Sequence, residues 1–396
     1  MLFRSIFLGK GIPEKFDLKE FYSFYCSLRD VYLNFEQSEP SSPPDPELFT
    51  NWGKYSEHAK KILESKNHLS QIANIRKTQI KLFNESGITT IDDLIADNSV
   101  KPMGMDQHKF LTLKAQAQLQ QESKNENTLK HRVINTEDKH VGLASLPPKS
   151  KNDIYFDLES NPLNKDFVLH YLWGVAHEDD ASRFKSWWCH DANEMKEVFE
   201  AFVDWTYDRW LVDPHMHIYH YGNFEIAALR QLMSKFGTKE NEVDNLLRNN
   251  VFIDLLKVVK NGMIIGAEGY GLKKIEPLYR SQRIDEVQSG NESTVQYENW
   301  MDSNDGKDEK SSKILKEIWD YNREDCISLI DLCDCLRKEQ EKHHISYLPP
   351  IEEVVIKEPT EKELKIKNIL DNKSKDEALP HKELLTNLCL YHAREN

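Results

Sequence analysis

Ile154-Tyr155-Phe156-Asp157-Leu158-Glu159 alternates in the manner of a β-strand. On a pleated strand successive side chains point to opposite faces, so Phe156 and Leu158 share one face and Asp157 and Glu159 the other. Two carboxylates side by side on one strand face repel each other unless solvent or a cation stands between them. Further along the chain, Ile318-Trp319-Asp320-Tyr321-Asn322-Arg323-Glu324-Asp325-Cys326 has helical spacing. Tyr321 and Asp325 stand at i and i+4 there, one turn apart on one face.

A strand carrying two acids, answered by a helix carrying an acid and a phenol, suits the binding of hard divalent cations through oxygen. That donor set names a chemistry: metal-assisted hydrolysis of a phosphodiester. Two Mg²⁺ or Mn²⁺ ions, roughly 3.5–4 Å apart, would clamp the phosphate between them. Carboxylates from separate elements are needed, because no single strand can surround two ions.

The composition sets bounds on this reading. A chain of 396 residues with 39% hydrophobic content supports two or three domains and at least one substantial core. No apolar run approaches ~20 residues, and Met1–Leu8 is too short and too interrupted by Arg4 to be a signal peptide. The cysteines are Cys26, Cys189, Cys326, Cys333, Cys335 and Cys389. Three crowd one helical stretch as small apolar residues, which argues against a disulfide framework and for a reduced, cytoplasmic protein. The net charge of −14 runs against a nucleic-acid binder. Acid also falls in segments patterned to face solvent, such as Asp302–Lys310 and Glu352–Glu363, however, and metal ions neutralise part of an acidic site.

Residues 1–44 read as a short strand and a helix, Leu18–Phe35, running into a proline-rich linker from Ser38 to Pro46. Residues 45–130 read as a helical region. Within it, residues 67–97 pattern as two helices around Gly87-Ile88, similar to a helix-hairpin-helix whose turn amides can bind phosphate. A plain helical hairpin fits that pattern equally, and Gln116–His131 loses its periodicity and reads as a linker. Residues 150–345 then follow the order strand, strand, strand, helix (Ala192–Trp210), strand (Met216–Tyr221), helix. An antiparallel meander followed by alternating elements predicts an α/β fold: a mixed sheet flanked by helices. Residues 346–396 read as a connecting tail.

Other candidates are single residues. Asp254 reads as an auxiliary acid or a helix cap. Tyr270, Lys273 and Lys274 follow glycines and could meet a nucleic-acid backbone. His217 and His220 alternate along a strand without metal-ligand spacing.

Asp157-x-Glu159 and Tyr321-x-x-x-Asp325 resemble the first and third motifs of the DnaQ-like (DEDD) exonucleases, RNase H-like in fold, and of their tyrosine-bearing DEDDy branch. The middle motif is matched by Phe224-Glu225, after the strand around His220 and Tyr221, with glutamate where the family has aspartate. A broader resemblance covers nearly the whole chain: it looks like the RecB-like putative nucleases with a YprB-type RNase H-like exonuclease domain. They share Tyr219–Glu225, Phe252–Leu255 and Tyr321–Cys326. The resemblance implies a two-metal 3′–5′ exonuclease, acting on single-stranded DNA ends more than on RNA. Asp157, Glu159, Glu225 and Asp325 would hold metal, and Tyr321 would orient the attacking water. It also implies a superfamily 1 helicase domain or subunit as partner. The chain departs from that architecture. Residues 1–44 look like the end of a RecB-like nuclease domain without its catalytic acids, no Gly-x-x-x-x-Gly-Lys-Ser/Thr phosphate loop occurs, and no cysteine cluster stands near Trp52–Glu64. A split gene product or a piece of a longer protein is the expectation. The competing reading is a catalytically weak or inactive nucleic-acid-binding scaffold within a helicase–nuclease assembly.

Overall fold

A computed structural model describes residues 5–8, 12–15, 18–38, 45–48, 52–134, 140–163, 167–178, 183–281, 290–303, 305–350 and 365. The tail expected over 346–396 lies almost wholly outside the described residues. Two units emerge, residues 1–128 with 266–269, and residues 129–265 with 270–396.

In the first unit, β1 (Ser5–Leu8) and β2 (Ile12–Lys15) pair antiparallel ahead of α1 (Leu18–Gln37), two strands where the sequence pattern suggests one. Four further helices follow: α2 (Ser56–Ser65), α3 (Lys77–Glu85), α4 (Ile91–Ile95) and α5 (Gln107–Glu126). Leu69, Ile72, Phe83, Leu94, Phe110 and Leu113 form one core among them. The α3–α4 hairpin has the expected turn, with Gly87 at φ +79°. Its amides are already engaged, however. Gly87 and Ile88 donate to Asn84 and Phe83 carbonyls, and Ile91 to that of Asn67. Thr89 and Thr90 donate to the Asp93 carboxylate, each at 2.9 Å. Those bonds hold the Asp93 carboxyl down at about 2.

The linker expected over Gln116–His131 is instead helix as far as Glu126, capped by Asp106 at one end and left-handed Asn127 at the other. Its buried face is Gln116, Ala117, Leu119 and Ser123, too small and polar to print an apolar stripe. The reason is close packing: a Cβ placed on Gly266 would lie 1.9 Å from Ser123 Oγ. Only small residues fit on either side of that contact.

The second unit is built on β4 (Ile154–Asn161), β5 (Leu169–His177), β6 (Phe184–Trp188), α6 (Ala192–Val212), β7 (Ile218–His220), α7 (Phe224–Phe236), α8 (Glu240–Arg248) and β8 (Phe252–Asp254). Then come α9 (Leu255–Gly262), β9 (Met263–Ile265), the short α10 (Leu272–Ile275), α11 (Gly290–Ser303) and α12 (Lys313–Lys342). The five-stranded sheet runs β6-β5-β4-β7-β8, with β4 in the centre. β4, β5 and β6 are antiparallel neighbours, while β4, β7 and β8 are parallel. A separate antiparallel pair joins β3 (His131–Val133) to β9.

Both sheet faces are covered, which is why β5 is buried at every position. On one face Phe156 stacks on Phe202 of α6 at 4.5 Å, with Trp173 beside both. The other face meets α12, whose buried stripe includes Leu315, Ile318, Leu329, Leu332 and Leu336. The expected α/β mixed sheet with flanking helices is the observed fold.

Candidate metal centre

The acids sit where the sequence pattern puts them, on the α12 face of the central strand. Glu159 and Asp325 are buried, at 6% and 7% exposure, and Asp157 is half-buried. One carboxylate oxygen from each of the three lies within 4.8 Å of the others. α12 delivers Asp325 because Ser312 caps its first turn, accepting from Leu315 N–H, and its apolar stripe docks on the sheet. The stripe turns polar at Tyr321, Asn322 and Asp325, the turn that faces Asp157.

Little inside the protein offsets this charge. Asn322 Nδ2 donates to Asp157 Oδ2 at 2.7 Å. The Ser293 hydroxyl bonds Glu159 and lies 2.7 Å from the Tyr171 hydroxyl. Lys273 Nζ sits 3.8 Å from the centre of the Tyr321 ring, and its charge favours ionised Glu159. Burial and the charge of Asp325 outweigh these contacts. Together they raise the Asp157 carboxyl well above its ordinary range and push Glu159 up to about 8. Tyr321 is pushed far up, first by burial and then by Asp325 and Glu159, so its phenol keeps its proton.

Glu225 opens α7, buried at 4% exposure. It lies outside the three-acid set, yet its charge still raises both Asp157 and Glu159. Its Oε2 has no hydrogen-bond partner and lies 3.5 Å from His220 Nδ1, which has none either. The turn that aims Glu225 is pinned by Asp254, whose Oδ1 accepts from Gly222 and Leu256 N–H at 2.9 and 3.0 Å. Asp254 thus acts as a cap for α9 and a brace for that turn. Gly222 is at φ +100°, a conformation that suits glycine.

The remaining sequence candidates separate. Lys273 is half-buried against Tyr321, whereas Lys274 is exposed. Tyr270 is buried at 6% exposure, its hydroxyl accepting from Ile265 N–H and donating to the Met263 carbonyl, so its ring is not on the surface. His217 lies towards the opposite end of the sheet beside Asp153, and burial lowers it to about 4. Sequence reasoning passed over Asn322, Ser293 and Gly174. Asn322 left one signal, a buried amide in an otherwise apolar helical stripe.

Residues 154–337 match the family model of the RNase H superfamily. That match supports an RNase H-like nuclease domain over these residues. No curated protein and no solved structure matches the chain.

The donor set of the RNase H-like domain fits a divalent metal. Three carboxylates converge, an amide, a hydroxyl and a lysine stand beside them, and a fourth carboxylate has a buried oxygen without a hydrogen-bond partner. All these donors are hard oxygens, the type that suits Mg²⁺ and Mn²⁺. Binding would displace the protons that repulsion now keeps on the cluster. Among the described residues no helix is long and apolar enough to cross a membrane.

Proposed function

We propose that the RNase H-like domain is a Mg²⁺- or Mn²⁺-dependent 3′–5′ exonuclease of the DEDDy type, working on single-stranded ends, DNA in preference to RNA. The observation that carries this is the convergence of Asp157, Glu159 and Asp325 within 4.8 Å, with Tyr321 one helical turn before Asp325. Divalent ions, when bound, supply Lewis-acid polarisation of the phosphate and a more acidic water. The chain's part is to hold and orient. Asp157, Glu159 and Asp325 provide the ligands, and Glu225 reaches towards them from the start of α7. Tyr321 stays protonated, so it directs the attacking water by hydrogen bonding and takes no proton from it. Lys273 supplies positive charge beside Tyr321, where a phosphate oxygen would arrive.

The 3′–5′ direction, the DNA preference, a superfamily 1 helicase partner, a role in DNA repair and a cytoplasmic location rest on the resemblance to RecB-like nucleases with a YprB-type domain. A second reading, a nucleic-acid-binding scaffold with weak or no catalysis, is favoured by the net charge of −14 and by Glu225 lying outside the three-acid set.

Cleavage of 3′- and 5′-labelled single-stranded DNA and RNA with Mn²⁺ decides between them. The expected result is stepwise loss from the 3′ end, reduced on the order of 10³-fold or more in Asp157→Ala. Tyr321→Phe should slow it by about 10²-fold, as expected for a misplaced water. Binding of every substrate without cleavage of any would favour the scaffold.

A further inference from the structure

α12 places a carboxamide in the polar turn of its buried stripe, beside Tyr321 and Asp325. Asn322 is 0% exposed, between the turns that carry Tyr321 and Asp325. An ionised carboxylate, the form that would hold a cation, can only accept hydrogen bonds, and the amide meets it through its NH₂, 2.7 Å from Asp157 Oδ2. That leaves Asn322 Oδ1 pointing the other way, without a partner. It lies against β5 at Gly174, the direct cross-strand partner of Asp157. A Cβ on Gly174 would come 1.8 Å from Asn322 Oδ1 and 2.8 Å from its Cγ. Asp157, Gly174 and Asn322 therefore meet at one point between β4, β5 and α12.

We infer that Asn322 is a positioning residue for the metal centre, fixing the rotation of the Asp157 carboxylate so that its remaining lone pairs face Glu159 and Asp325, and that position 174 is glycine to admit it. An amide suits this task because it donates without titrating, so its grip is the same with or without an ion. A hydroxyl in its place would not span from the helix to the strand, and a lysine would compete with the ion as a charge. Outer partners of this kind commonly change metal affinity by about 10- to 100-fold when removed.

This inference rests on the metal-centre reading above, so its test reads metal binding apart from cleavage. Mn²⁺ affinity is measured by electron paramagnetic resonance on the full chain, with melting temperature recorded alongside, for the wild type, Asn322→Leu, Gly174→Ala and the double variant Gly174→Ala/Asn322→Ala. Leucine keeps the volume and removes the donor. Asn322→Leu should bind Mn²⁺ at least 10-fold more weakly while melting cooperatively. Gly174→Ala should weaken binding similarly, by expelling the amide from the other side. The double variant relieves that clash, so its melting temperature should recover above that of Gly174→Ala while its Mn²⁺ affinity does not. Recovery of both together would mean that Asn322 only packs, and wild-type affinity in Asn322→Leu would overturn the inference outright. A wild type that binds no Mn²⁺ would sink the metal centre itself, whereas one that binds without cleaving would sink only the nuclease reading.

Discussion

β4 and α12 meet at two buried polar clusters, and they are balanced differently. Towards the start of the strand, Asp153 is 2% exposed but accepts from Ser150 and His217 N–H at 2.9 Å each, with Arg337 Nη2 at 3.7 Å. Arg337 also donates to the Tyr219 hydroxyl at 2.9 Å, and Tyr219 stacks on Tyr155. Towards the end of the strand, Asp157 and Glu159 meet a third acid on the helix, Asp325. Burial raises Asp153 to about 6 but Glu159 to about 8. The first cluster carries its own cation and behaves as structure. The second gathers three carboxyls whose affinity for protons is raised by burial and by one another's charge, which supports the metal reading.

The sharpest way to break this comparison is to remove the internal cation. Arg337→Met should destabilise the fold by about 3 kcal/mol, since it strands a buried carboxylate. Denaturant unfolding checks it, and a loss below about 1 kcal/mol would show that the two clusters do not differ as described. The complementary experiment adds the missing cation. Mn²⁺ at a hundredfold excess over its Kd should stabilise the native state by about 2.7 kcal/mol, roughly 5–10 °C in Tm. Arg337→Met should keep that gain and Asp157→Ala should lose it; an equal gain in both would detach the effect from the acid cluster.

The most gradual effect is a pH dependence. Asp153 ionises at about 6 in the native protein, raised by burial from an ordinary 3.8. Between these values the folded chain holds a proton that the unfolded chain has lost. Stability from this group therefore falls as pH rises through about 4 to 6 and is level above that, a change of at most about 3 kcal/mol. The curve for Asp153→Asn, subtracted from that of the wild type, should show this slope. A flat difference would place the Asp153 carboxyl in water.

The sequence displays most of this fold because its signals are periodic. The β4–β5–β6 meander, the α6 stripe and the turn into α7 follow from alternation and helical spacing. Asp157, Glu159, Tyr321 and Asp325 stand out because acids on one strand face and one helix face are unusual in a core. What stayed hidden depends on contacts between distant segments. Gly174 reads as an ordinary strand glycine until Asn322 is placed against it. The C-terminal half of α5 lacks a stripe because Gly266 approaches Ser123 so closely. Tyr270 follows Gly269 as a loop residue would, yet its hydroxyl is held by backbone groups of β9. The amides of the α3–α4 turn look available in sequence, and only the structure shows Asp93 occupying two of them.

The separation of the acids along the chain has a consequence for folding. Asp325 follows Asp157 by 168 positions, and between them lie the meander, α6 and the whole parallel half of the sheet. Closing so long a loop is slow, and its entropy cost is met only when α12 docks. A chain still emerging from synthesis therefore carries Asp157 and Glu159 on an open strand, with no third ligand and nothing to orient them. The cluster is complete only when α12 has closed on the sheet, so whatever it does is withheld until then.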